Sequence, residues 1–281
     1  MTRESSIIEL AQWLKSPPGR YLLGWEQPQL DRGVSDVFGF HALQLGLPEL
    51  DALRANRMPH RWVASDALYQ PESFELPPVD DSLSTLAPHS GLALHCDFDA
   101  LPFPNQSLDL VVLPHALELA RDAHDTLREV ERVLVPEGRV VITGFNPASL
   151  WGLRQRAGRL RRGMGFGGGL FLPRAGDLIG YWRLRDWLRL LGFEVERGRF
   201  GCWRPPFGSQ RWIDRGGWID RAGERWWPVL GASYCLVAVK RVRGMRLVGL
   251  ARSQKPAKAT APAAVAQPRV RQLEDIFEEI G

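Results

Sequence analysis

Gly46, Asp66 and Asp97 stand at the ends of three successive apolar runs, "FGFHALQLG" (38–46), "RWVASD" (61–66) and "LALHCD" (92–97). A glycine that ends a strand lets the backbone approach a ligand. An acid about 20 residues later suits ribose hydroxyls. An ionised carboxylate only accepts hydrogen bonds, so Asp97 suits an exocyclic amine such as that of adenine. The order glycine, acid, acid fits an adenosine-containing ligand. Each residue also has a structural alternative: a turn glycine, a helix N-cap and a turn carboxylate respectively. Next along the chain, "LDLVVLP" (108–114) ends in Pro114 and His115, and "RVVITGF" (139–145) in Phe145 and Asn146. His115 titrates near neutrality and suits a general base, or a buried hydrogen-bonded histidine. Asn146-Pro147 suits a substrate mouth or a plain Asn-Pro turn.

Elements of a particular order must position these residues. The runs at 92–97, 108–114 and 139–145 are nearly all apolar, as strands covered on both faces should be. "HDTLREVERVL" (124–134) has helical spacing, and "PEG" ends it. Strand, helix, strand implies a parallel pair with a right-handed crossover. The alternation reaches back to residue 38, so the expected fold is α/β with a doubly wound, mostly parallel sheet. Ligands of such sheets sit beyond the carboxyl ends of the strands, where these residues cluster. Helices are expected over 5–15, where "SPPG" stops the first, and over 20–38.

The remainder differs in texture. Residues 150–175 form a basic, glycine-rich insertion with Arg154, Arg156, Arg159, Arg161 and Arg162. These suit an anionic substrate or RNA, or a solvated helix face, and the glycines at 163–169 suit a lid. The tryptophans at 203, 212, 218, 226 and 227 suit base stacking, or burial in a small subdomain. The divisions are a helical cap (1–35), the main domain (36–245) and a tail (246–281) of low-complexity linker plus the acidic amphipathic "QLEDIFEEIG", which suits a protein partner. The net charge of +4 permits an anionic partner without demanding one. Cys96, Cys202 and Cys235 have no metal-ligand spacing and read as free thiols in a reducing compartment. No run reaches a membrane span and the N-terminus is no signal peptide, so a cytoplasmic protein without a membrane partner is expected.

The stretch "DFDALPFPNQSLDLVVLPHALELARDAHDTLREVERVLVPEGRVVI" resembles the class I S-adenosylmethionine-dependent methyltransferases, of the type 11 group. The resemblance runs from about 36 to 146 and is strongest from 94 to 142. "FGFHALQLG" and "GFNPASLWGLR" look like segments of an uncharacterised bacterial branch. The resemblance implies a seven-stranded sheet whose last strand is antiparallel, closed by 193–200 and 233–240. It implies S-adenosylmethionine as cofactor, with Gly46 opening the cofactor loop, Asp66 on the ribose, Asp97 and Phe98 on adenine, and Pro114 and His115 at the methionine end. One departure stands out. The family's acid-x-Gly-x-Gly-x-Gly loop is "QLGLPEL" here, with Gln44 for the acid, Pro48 for the second glycine and Leu50 for the third. Proline fixes φ and removes a donor. Two functions follow: methyl transfer to an acceptor such as RNA or a phosphate-bearing molecule, or a lapsed module that binds nucleic acid or protein.

Overall fold

The computed structural model describes residues 3–48, 50–65, 92–165, 170–173 and 178–241. Asp66, the glycines 167–169 and the tail lie outside these residues. The chain opens with α1 (Arg3–Leu14) and α2 (Pro17–Val34). Between them "SPPG" starts the second helix as well as stopping the first. Ser16 caps α2 by accepting from the Gly19 N–H, and Pro17 and Pro18 fill first-turn positions that have no helical acceptor for an N–H.

Then come β1 (His41–Leu45), β2 (His60–Ser65), β3 (Leu92–His95) and β4 (Leu108–Pro114). The short α3 (Ala116–Leu119), α4 (Ala123–Val133) and β5 (Leu134–Phe145) follow. The fifth strand starts earlier than the 139 expected, because "PEG" is a bulge within it rather than a break: the register jumps between Leu108 and Leu110, and Glu137 sits at φ 64°. Beyond lie α5 (Leu150–Gly163), α6 (Tyr181–Leu190), β6 (Phe193–Gly201), α7 (Gln210–Arg215), α8 (Gly217–Trp226) and β7 (Ser233–Lys240).

The sheet has seven strands in the order β3-β2-β1-β4-β5-β7-β6. The first five are parallel, and β7 runs antiparallel to both its neighbours. Side-chain alternation divides the core. Ala42, Leu110, Val112, Val141 and Val237 face Leu22, Leu30 and Val34 of α2. Leu43, Leu45, Val111, Leu113, Val140 and Ile142 face Leu127 and Val130 of α4 and Leu184 and Leu188 of α6. Asp109, at the head of β4, accepts from the Phe40 and His41 N–H groups and so anchors the start of β1, at the far end from the strand termini that form the site.

One expected layer is thinner than a doubly wound sheet implies. Among the described residues from 46 to 59, no helix links β1 to β2. Asn56 replaces it as a staple: its amide donates to the Val34 and Val37 carbonyls, and its oxygen accepts from the Met58 N–H.

The "CWRPPFGSQRWIDRGGWIDRAGERWWP" segment folds into a loop, α7 and α8. Arg204 organises it by pairing with Asp220 at 2.8 Å, donating to the Ile213 carbonyl and lying 4.4 Å over the Tyr21 ring. The expected burial of its tryptophans fails at Trp218, Trp226 and Trp227, which are exposed.

Candidate functional site

Gly46 ends β1 at φ +81°, a backbone conformation that a side chain strains. Its N–H donates to the Ala64 carbonyl of β2. A Cβ placed there would lie 3.5 Å from Ala116 Cβ, 3.6 Å from the Phe98 ring and 3.7 Å from the Pro114 carbonyl. The ends of β1, β3 and β4 therefore converge on this glycine, bringing Gly46, Phe98 and Pro114 together. Phe98 is buried, and Asp97 beside it is exposed at the end of β3.

The loop after Gly46 shows what the Gln44 departure does. Gln44 is wholly buried. Its amide nitrogen donates to the carbonyls of Gly46 (3.2 Å), Leu47 (2.9 Å) and Leu50 (2.7 Å), and its oxygen accepts from the Ala52 N–H at 2.9 Å. An amide can both donate and accept in this way, and an ionised carboxylate cannot. It holds Leu47 at φ 41°, a conformation rare for a non-glycine residue, and the loop buries Leu47 and Leu50 in the α2-side core. Backbone freedom that the family obtains from glycines is replaced here by a side chain that fixes one conformation.

His115 sits at φ 51° at the end of β4 and is fully buried. Its Nδ1 lies 2.7 Å from Glu118 Oε2, and its Nε2 lies 3.0 Å from Glu26 Oε1. Glu26 comes from α2 and also accepts from the Ser233 hydroxyl at 2.6 Å. The other oxygen of Glu118 accepts from the Phe145 N–H at 2.6 Å. Burial alone lowers the pKa of His115, but the Glu26 and Glu118 carboxylates outweigh it and push it up to about 10. The ring is thus an imidazolium at neutral pH, with both nitrogens donating. Of the two readings for this position, the contacts are those of a buried, hydrogen-bonded histidine.

Glu26, Glu118 and Ser233 were not singled out from sequence. Glu118 is visible only as one acid in the apolar "ALEL" three residues after His115, and Glu26 stands 89 residues away. Asn146 is likewise structural. Its amide donates to the Val229 and Gly231 carbonyls, and Ser149 caps α5 through the Gly152 N–H. The three cysteines are buried free thiols, and burial raises those of Cys202 and Cys235.

The arrangement was compared with known proteins. Residues 77–142 match the methyltransferase domain family model. Over 92% of the chain, an uncharacterised Escherichia coli protein, YafS, is 29% identical and is covered over 88% of its own length. The malonyl-[acyl-carrier protein] O-methyltransferase of Halorhodospira halophila is 45% identical over 58 residues, 21% of this chain and 20% of that one. A chain from the Haloferax volcanii complex of the Trm112 methyltransferase activator with a methyltransferase superposes at TM-score 0.51, with 16% identity, covering 85% of this chain and 99% of that one. An S-adenosylmethionine-dependent methyltransferase of Thermotoga maritima superposes at 0.50, with 13% identity, over 85% of this chain and 100% of that one. Residues 77–142 are thus similar to a methyltransferase domain, and the strand order, with its antiparallel β7, is the fold of S-adenosylmethionine-dependent methyltransferases.

Proposed function

We propose that the chain transfers a methyl group from S-adenosylmethionine to an acceptor, using the edge formed by Gly46, Asp97, Phe98 and Pro114. The observation that carries this reading is the convergence of three strand ends on a glycine at φ +81°, with Phe98 and the Pro114 carbonyl packed round it. When bound there, the cofactor would supply an electrophilic methyl group. The chain's own part is alignment, which in a displacement between two bound reactants accounts for much of the rate.

Asp97 offers an exposed carboxylate to a donor on the base, and Asp66 remains the proposed partner of the ribose. The Gln44-knitted loop fixes the turn beside Gly46 before any ligand arrives, so no loop ordering has to be offset on binding. With His115 held as an imidazolium, the acceptor must either be nucleophilic without losing a proton first or release its proton elsewhere. A phosphate-bearing or RNA acceptor remains the reading for the α5 arginines if they serve this site.

The lapsed-module alternative draws on the same loop. Pro48 and Leu50 stand where the family has glycines, and Leu50 is buried. Calorimetry with S-adenosylmethionine and its demethylated product separates the two. Micromolar binding of both that is lost in Asp97→Ala supports the enzyme. An absence of binding by the pure, folded chain leaves the module.

A further inference from the structure

Helix α5 presents an apolar stripe to solvent. Leu150, Leu153, Leu160 and Met164, at its C-cap, are 53%, 62%, 66% and 58% exposed. At about 100° per residue they fall within a band roughly 80° wide, opposite the buried Trp151 and Gln155. Arg154 and Arg161 flank the band on one side and Arg156 on the other. No acid occurs anywhere from 150 to 165. Arg154 is engaged by the Pro206 carbonyl and lies over the Phe171 ring. Arg156, Arg159 and Arg161 have no carboxylate partner among the described residues.

Surface helices of globular proteins normally turn such a stripe inward. Here the inward face is already filled, by Trp151 donating to the Arg204 carbonyl and Gln155 exchanging two hydrogen bonds with Leu172. We propose that α5 binds an anionic lipid surface, with its leucines in the boundary between headgroups and acyl chains and its arginines on lipid phosphates.

Three features favour lipid. An exposed apolar band bracketed by arginines is the pattern of a helix lying in a membrane interface. RNA would engage the arginines and leave the leucines in water. The surroundings also fit: Val229 and Leu230, in the turn held by Asn146 just before α5, are exposed, as are Trp226 and Trp227 next to them. Tryptophan favours membrane interfaces. Among the described residues no helix is long and apolar enough to cross a membrane, so the contact is peripheral. The inference revises the expectation of no membrane partner and holds independently of the methyl-transfer reading.

The test is co-sedimentation of the full chain with vesicles of phosphatidylcholine alone, or equimolar with phosphatidylglycerol. Expected is binding to the anionic vesicles only, weakened by salt. Leu153→Glu with Leu160→Glu should weaken it by tenfold or more. Arg156→Gln with Arg161→Gln should weaken it about fivefold per arginine. These side chains are exposed, so both variants should keep the wild-type melting temperature, and either suffices if the other misfolds. Wild-type protein that ignores anionic vesicles overturns the proposal, as does a folded leucine variant that binds like wild type. Two other results would also overturn it: salt-sensitive RNA binding without vesicle binding, and a dimer dispersed by the leucine variant without vesicle binding.

Discussion

Placing an acid at position 44 should damage this protein. Gln44→Glu changes one NH2 to an oxygen and leaves the shape intact. The new carboxylate would face the carbonyls of Gly46, Leu47 and Leu50 at the 2.7–3.2 Å now occupied by donated hydrogen bonds. It would keep only the Ala52 N–H as donor. The site is fully buried, so the charge has no water to turn to. Leaving one buried charge uncompensated costs about 3–5 kcal/mol. In a domain of this size each kcal/mol moves the melting temperature by about 2–4 °C, so a fall of about 6–20 °C is expected near pH 7.5.

The pH dependence identifies the cause. Burial raises the pKa of the introduced carboxyl in the folded variant above its unfolded value, so the folded state binds the proton more tightly. The deficit should therefore be largest at neutral pH and above, and shrink as the pH falls toward about 4.3, where a neutral acid can again donate. Thermal melts of wild type and variant across that range give the answer. A variant that melts with wild type at pH 7.5, or whose deficit does not change with pH, would refute the view that the amide holds the loop.

Two further outcomes follow from the charged residues. His115 has its pKa raised from 6.5 to about 10, so its contribution to stability is complete below pH 6.5 and is lost as pH rises through 10. Melting temperatures from pH 6 to 11 should decline over that window, less so in His115→Gln, and ring nitrogen shifts of His115 in NMR should stay those of an imidazolium at pH 8. Arg132 donates to the Leu101 and Phe103 carbonyls, to Asn105 and to Glu129, tying α4 to the "LPFPN" loop. Arg132→Lys cannot span those acceptors and should cost about 2 kcal/mol in denaturant titration; a loss under half that would mean the loop holds itself.

The strands were legible because a sheet covered on both faces demands unbroken apolar runs, and the bounds of β4 match the run that marks it. The same runs mark the strand ends that bring Gly46, Phe98 and Pro114 together. What was missed depends on contacts that sequence spacing does not encode. "SPPG" contains both a stop and a start, and only the Ser16 cap shows that the second dominates. Gln44 reads as a lost acid until its loop carbonyls are seen around it. His115 leaves two readings open because Glu26, one of its two carboxyl partners, comes from α2, 89 residues away. The Trp-rich segment misled in the opposite sense: tryptophan's size argues for burial, yet three of its members are exposed.

The buried cluster and the site meet at β4, and this gives the methyl-transfer reading its sharpest consequence. Two acids around one basic ring give the cluster one acid in excess, shielded from water and next in chain to Pro114, whose carbonyl faces Gly46. Fixed charge in a dry site acts strongly on any charge nearby. A sulfonium cofactor is cationic and its demethylated product is a neutral thioether, so the cluster should favour the former. Glu26→Gln keeps the shape and the Ser233 contact while His115 stays paired with Glu118, which removes the excess acid. The expected result is a loss of S-adenosylmethionine affinity on the order of tenfold, with affinity for the product nearly unchanged. A merely structural Glu26 would weaken both ligands together, so equal losses in paired calorimetric titrations would sink the argument. Unequal losses would show that Glu26, far from β4 in the chain, sets the electrostatics of the methyl-bearing end.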